Sequence, residues 1–186
     1  MIPTLPSTAT LGAIFGVSEI AISLLMRARS GSNDKGSLRL IWLVILGSLF
    51  AAMQVSLYMP EFSIRLRAVY AAGVAVFFAG LGLRWYSIYC LGRFFTVNVA
   101  IADDHRLIDS GPYRWIRHPS YTGALLAFTG FGLCIGNWVS LALILLPIGA
   151  VFAYRMHVEE AALLAGLGES YRAYCARSKR LIPFLY

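Results

Sequence analysis

Residues 121–154 read YTGALLAFTGFGLCIGNWVSLALILLPIGAVFAY, a stretch without a single Asp, Glu, Lys or Arg. Tyr121 to Ile135 and Trp138 to Tyr154 are two apolar runs, and Gly136-Asn137 between them leaves room only for a tight turn. A hydrocarbon core about 30 Å thick takes about 20 helical residues, with a lower limit near 17. The first run is short and the second sits at the limit, so the pair reads as a helical hairpin held deep by its neighbours. A buried re-entrant pair is the alternative. The uncharged turn and Trp138, a residue type of membrane interfaces, favour two crossings. Upstream, Ala9 to Met26, Leu40 to Met59 and Ala68 to Cys90 are three further spans. The expected fold is all-α: a polytopic integral membrane protein of five transmembrane helices that includes this C-terminal hairpin. Residues 1–186 form one membrane domain. Residues 9–90 hold the first three spans, 91–120 a polar loop, 121–154 the hairpin and 155–186 a cytoplasmic helical tail.

Composition agrees. Of 186 residues, 59% are hydrophobic and 13% charged, against about 25% charged in a soluble chain. The net charge is +7, and its placement is informative. Fourteen of the sixteen basic residues fall on one side, in the loops after the first and third spans and beyond the fifth, counting Arg84 near the far end of the third span; only Arg65 and Arg67 follow the second. Basic loops stay cytoplasmic, so the N-terminus is expected outside and the C-terminus inside. No nucleic-acid module accompanies the charge, and no feature calls for an obligate protein partner. Cys90, Cys134 and Cys175 show neither metal spacing nor a paired framework. The first apolar run lacks a basic leader and is interrupted by Glu19, so it reads as a membrane helix and not a signal peptide. Small residues at Gly12, Gly16, Gly73, Gly80, Gly82, Gly123, Gly130 and Gly132 would let helix backbones approach closely.

Polarity gathers from Gly92 to Ser120 and from Arg155 to Tyr186. These segments adjoin opposite ends of the hairpin, so folding it brings them to one membrane face, where a pocket can form. His118-Pro119 disfavours helix at His118, and Pro119 suits a first helical turn. Ser120 is a candidate cap. The positive end of that helix could receive a carboxylate or a ribose oxygen. Arg155 and Glu159, four apart, share a helix face; both are expected at the inner membrane boundary, outside the bundle centre. Taken singly, each residue has a plainer reading. Arg155 and Glu159 make a surface ion pair, or Arg155 snorkels. His118 is a hydrogen-bonded structural group, and Tyr113 and Tyr121 are interfacial aromatics. Glu19 is satisfied by a Ser or Tyr on another helix.

Taken together, the residues form a pattern. Gly111-Pro112-Tyr113-Arg114-x-x-Arg117-His118-Pro119-Ser120-Tyr121-x-Gly123 is followed by Arg155-x-x-x-Glu159-Glu160, Tyr171-x-x-Tyr174 and Arg180-x-Ile182-Pro183. This order and spacing resembles the isoprenylcysteine carboxyl methyltransferase family, which extends to related phospholipid methyltransferases. The resemblance covers Leu91 to Tyr186, about half of the chain; the first two spans carry no matching motif. It implies methyl transfer from S-adenosyl-L-methionine, at the cytoplasmic membrane face, to a lipophilic small-molecule or lipidated substrate. The acceptor it implies is the carboxylate of a prenylcysteine-like or other amphiphilic acid. By similarity, Asn98, His105, Arg106, Leu107, Ile108, Tyr113, His118, Pro119, Ser120 and Tyr121 bind the cofactor, Arg106 through its backbone. Glu159 would meet the cofactor ammonium and Arg155 the substrate carboxylate, and these two form the catalytic pair. Trp42, in the second span, is expected to lie apart from the cofactor. The chemistry asks for no metal, because a sulfonium methyl is already activated. It asks for no general base, because a carboxylate with a pKa near 4 is ionised at neutral pH.

Two other readings remain open. A His-Pro-x-Tyr-like stretch also occurs in membrane reductases of the sterol type that use NADPH, although a 2′-phosphate would call for an added basic cluster. A carboxylate inside a span, such as Glu19, marks proton or substrate pathways and fits a small transporter, although no inverted repeat is visible.

Overall fold

The computed structural model describes residues 5–27, 35–64, 66–95 and 107–183. Among these the regular secondary structure is helical, with two isolated β-bridges. Six helices follow in order: α1 (Thr8–Arg27), α2 (Lys35–Tyr58), α3 (Arg67–Leu91), α4 (Pro119–Ile135), α5 (Trp138–Leu167) and α6 (Glu169–Arg177). The Ser7 hydroxyl accepts the Thr10 N–H at 3.1 Å and caps the start of α1. Four stretches are each long and apolar enough to cross a membrane: Thr8–Leu25, Leu38–Tyr58, Arg67–Phe94 and Trp138–Leu167. α4 is equally apolar but has 17 residues, about 25 Å at 1.5 Å per residue. The outward faces carry exposed Val17, Leu24, Leu43, Leu57 and Leu146, as lipid contact requires. The chain is therefore an integral membrane protein with four or five spans.

The turn expected at Gly136-Asn137 is present, and its chemistry is local. Gly136 ends α4 at φ 71, ψ 38, a left-handed conformation that glycine adopts without a Cβ penalty. Asn137 caps α5 by accepting the Ser140 N–H at 3.1 Å. Its amide nitrogen donates to the Met59 carbonyl at 2.9 Å, and the Ser140 hydroxyl donates to the Ala52 carbonyl at 2.6 Å. The hairpin tip is thereby tied to the end of α2. α5 then runs without a break through Leu167, so Arg155, Glu159 and Glu160 stand on the same helix as the second arm of the hairpin.

α3 and α4 pack backbone to backbone. A Cβ at Gly130 would lie 2.3 Å from the Phe77 nitrogen, one at Gly80 2.4 Å from the Ala127 nitrogen, and one at Gly123 2.6 Å from the Arg84 nitrogen. Gly73 meets Gly130 and Cys134 in the same way. The small-residue reading is correct for these four positions. It fails for Gly16 and Gly82, which have nothing within 4 Å, because their faces turn away from any neighbouring helix. Gly130→Leu should therefore force α3 and α4 apart and destabilise the protein by about 3 kcal/mol or more. Gly82→Leu should stay within about 0.5 kcal/mol of the parent. Thermal unfolding in detergent compares them, and equal midpoints would refute the contact.

Candidate functional site

The loop before α4 is shaped by its own residues. Gly111, at φ 58, starts a 3-10 turn over Gly111–Arg114, with Pro112 in its first turn. That turn presses Tyr113 inward to 5% exposure. Burial raises the Tyr113 hydroxyl above the ordinary phenol range, and burial pushes Tyr174 up to about 12. Both phenols therefore stay protonated, and Tyr174 donates to the Tyr113 carbonyl at 2.6 Å. His118 is the last residue before α4, with φ −124 and ψ 55, and Pro119 occupies the first turn, as Pro chemistry predicts.

The tail folds back onto this loop, as the hairpin geometry requires. The Arg117 N–H donates to the Lys179 carbonyl at 2.7 Å, the His118 N–H to the Arg180 carbonyl at 3.0 Å, and the Lys179 N–H to the Trp115 carbonyl at 3.1 Å. Glu160 binds these pieces together. It accepts from Arg117 Nε at 2.9 Å and from Arg180 Nη2 at 2.8 Å, and it lies 3.2 Å from His118 Nε2. Its neighbour Glu159 accepts from the Tyr121 hydroxyl at 2.6 Å and from Arg155 Nε at 3.2 Å, and its Oε2 lies 3.7 Å from His118 Nδ1.

A pocket of about 220 Å³ opens between these elements. Leu107, Ile108, Tyr113, His118, Ser120, Tyr121, Arg155 and Glu159 all line it, so eight of the expected site residues converge. Pro119 is fully buried and is not part of the lining; its ring shapes the helix start. Asn98, His105 and Arg106 lie outside the described residues. Two expectations need correction. Ser120 is not a cap: its hydroxyl makes no capping bond and accepts instead from Arg84 Nη1 at 3.1 Å. Arg155 is not at an exposed boundary. It is 1% exposed and the largest fully buried side chain among the described residues, on a helix that continues three turns beyond it.

The structure also brings in residues that motif reading passed over. Phe15, Ile22, Ile41, Trp42 and Ile45 from α1 and α2 form an apolar wall of the pocket, so Trp42 is not remote from it. Glu19 pairs with Arg84, Nε to Oε1 at 2.7 Å, and both line the pocket. The partner of the intramembrane carboxylate is thus an Arg on α3, neither a Ser nor a Tyr. The available signal was two opposite charges, each inside an apolar run, each needing a partner.

Buried charged side chains and an apolar wall from membrane helices thus share one pocket in a membrane-embedded protein. The isoprenylcysteine carboxyl methyltransferase family model matches residues 72–165, and the chain belongs to that family. It is 33% identical over 143 residues to protein-S-isoprenylcysteine O-methyltransferase of Schizosaccharomyces pombe, an alignment covering 75% of this chain and 61% of that protein. To the Rattus norvegicus protein of the same name it is 32% identical, with 62% of this chain and 41% of the other covered. The chain thus spans about three fifths of the first relative and two fifths of the second. A solved structure of the eukaryotic intramembrane Ras methyltransferase shares the fold. The TM-score is 0.73 at 23% identity, over 96% of this chain and 65% of that one. Neither the reductase nor the transporter reading gains support from these matches.

Proposed function

We propose that the protein transfers a methyl group from S-adenosyl-L-methionine to the carboxylate of a lipophilic acceptor, a prenylcysteine-like or other amphiphilic acid, at the cytoplasmic membrane face. The observation that carries this reading is that Arg155, Glu159, Tyr121 and His118 share one pocket with the apolar wall of Phe15, Ile41, Trp42 and Phe128. A water-soluble cofactor and the acceptor's carboxylate need the first set, and the acceptor's greasy part needs the second. The donor set fits the cofactor. Glu159 offers a carboxylate for its ammonium group, the first turn of α4 offers the positive end of a helix, and Leu107 and Ile108 offer apolar surface. When bound, S-adenosyl-L-methionine supplies a methyl group already activated by its sulfonium.

The work left to the chain is alignment. Arg155, buried beside Phe152 and Tyr121, would orient the acceptor carboxylate; a planar guanidinium can hold both oxygens. Glu159, fixed by the Tyr121 hydroxyl, would hold the cofactor so that reacting atoms come within about 3–3.5 Å. Burial keeps water from the reacting centre and strengthens each charge interaction.

Titration of the detergent-purified protein with S-adenosylhomocysteine, chelator present, should show one site, and His118→Ala should weaken it. A wild type without heat or thermal shift at millimolar ligand would refute the cofactor. Tritiated-methyl transfer, run side by side on a prenylcysteine, a fatty acid and total membrane lipids, should favour a carboxylate acceptor; label on lipid amines alone would overturn that choice.

The orientation belongs to this reading, with the N-terminus outside and the site inside. The basic loops support it. Cysteines placed at exposed Ser170 and Glu61, in a cysteine-free background, should label from the inside and the outside respectively. The reverse pattern sinks the topology.

A further inference from the structure

Glu19 stands on α1, outside the stretch matched by the family model, yet both of its oxygens are engaged. Arg84 on α3 donates from Nε to Oε1 at 2.7 Å and from Nη2 to Oε2 at 2.8 Å. Nη1 donates to the Ser120 hydroxyl at 3.1 Å and to the Ser120 carbonyl at 3.3 Å. The Arg84 and Glu19 side chains are only 14% and 10% exposed, and Glu19, Arg84 and Ser120 all line the pocket. One residue earlier on α1, the Ser18 hydroxyl accepts from Trp85 Nε1 at 2.8 Å. Two adjacent residues of α1 therefore grip two adjacent residues of α3. On the other side, Gly123 brings α4 against the Arg84 backbone.

We propose that Glu19 and Arg84 form a positioning clasp for the first turn of α4, and through it for the cofactor end of the site. This rests on the methyltransferase reading given above. A lone guanidinium beside Ser120 would be free to turn toward any anion entering the pocket. A carboxylate held by two parallel N–H donors fixes the guanidinium plane, and that plane aims Nη1 at both oxygens of Ser120. Ser120 lies between His118 and Tyr121, so the clasp sets where those two side chains stand. α1, which carries no motif, thereby becomes part of the site. A lysine at position 84 has the charge but not the fork.

The test compares wild type, Arg84→Lys, Glu19→Gln and the double variant Glu19→Gln with Arg84→Gln. Thermal midpoint and Kd for S-adenosylhomocysteine are read on the same detergent samples. Each single variant leaves a buried charge poorly matched, so both midpoint and affinity fall. The double variant removes both charges and keeps polar amides in place, so its midpoint returns toward wild type. Its Kd nevertheless stays raised about tenfold or more, the scale of a lost hydrogen bond to a charged group. A merely structural pair predicts that affinity recovers with the midpoint, and that result overturns the clasp. Variants that all bind within twofold of a binding wild type overturn it equally. A wild type that binds no S-adenosylhomocysteine overturns the cofactor reading, and this inference with it.

Discussion

Replacing Arg155 with Met should lower methyl transfer about a hundredfold or more, the cost of a misplaced reactant, while the Kd for S-adenosylhomocysteine stays near wild type. Met is the informative choice because Arg155 is fully buried. Its unbranched chain fills much of the space, whereas Arg155→Ala would add a cavity and confound chemistry with stability. Arg155→Lys should rescue little, since an ammonium is a point charge and the acceptor is planar. Glu159→Gln should divide the other way, because the amide keeps an acceptor for the Tyr121 hydroxyl but loses the charge meant for the ammonium. Cofactor titration and single-turnover transfer on the same samples separate the two roles. Equal losses of affinity and transfer in both variants would return Arg155 and Glu159 to a plain structural ion pair.

Glu160→Ala should be the most damaging single change to stability at the inner face. It takes a carboxylate partner from Arg117 and His118, whose side chains are 11% and 5% exposed, and from Arg180. Removing one partner of a buried charge pair costs about 3–5 kcal/mol, which lowers the midpoint by about 10 °C in a chain of this size. The damage should be directional. Lys179 and Arg180 hold the tail to Trp115, Arg117 and His118, so trypsin should cut there faster once Glu160 is gone. Cofactor affinity should fall as well, since His118 loses the nearer of its two carboxylates. Unchanged proteolysis with a midpoint within about 2 °C of wild type, less than 1 kcal/mol, would show that the tail is held without Glu160.

Hydropathy along the chain was enough for the helical class, the spans and the tight turn, because apolar length and Gly136-Asn137 are local properties. The order of the polar blocks was enough to bring residues 107–121 and 155–160 toward one face, since a hairpin leaves its ends little freedom. Three things needed the folded molecule. The burial of Arg155 comes from the packed bundle, and no local pattern separates a boundary arginine from a buried one. The apolar wall from α1 and α2 could not be read from residue type. A helix in lipid is apolar all round, so its composition does not say which face turns inward. The pairing of Glu19 with Arg84, 65 residues apart, follows from how far each helix is rotated and raised against the other. The sequence shows two charges that must be neutralised. Only the packing of α1 against α3, with α4 drawn close at Gly123, says which partner each one meets.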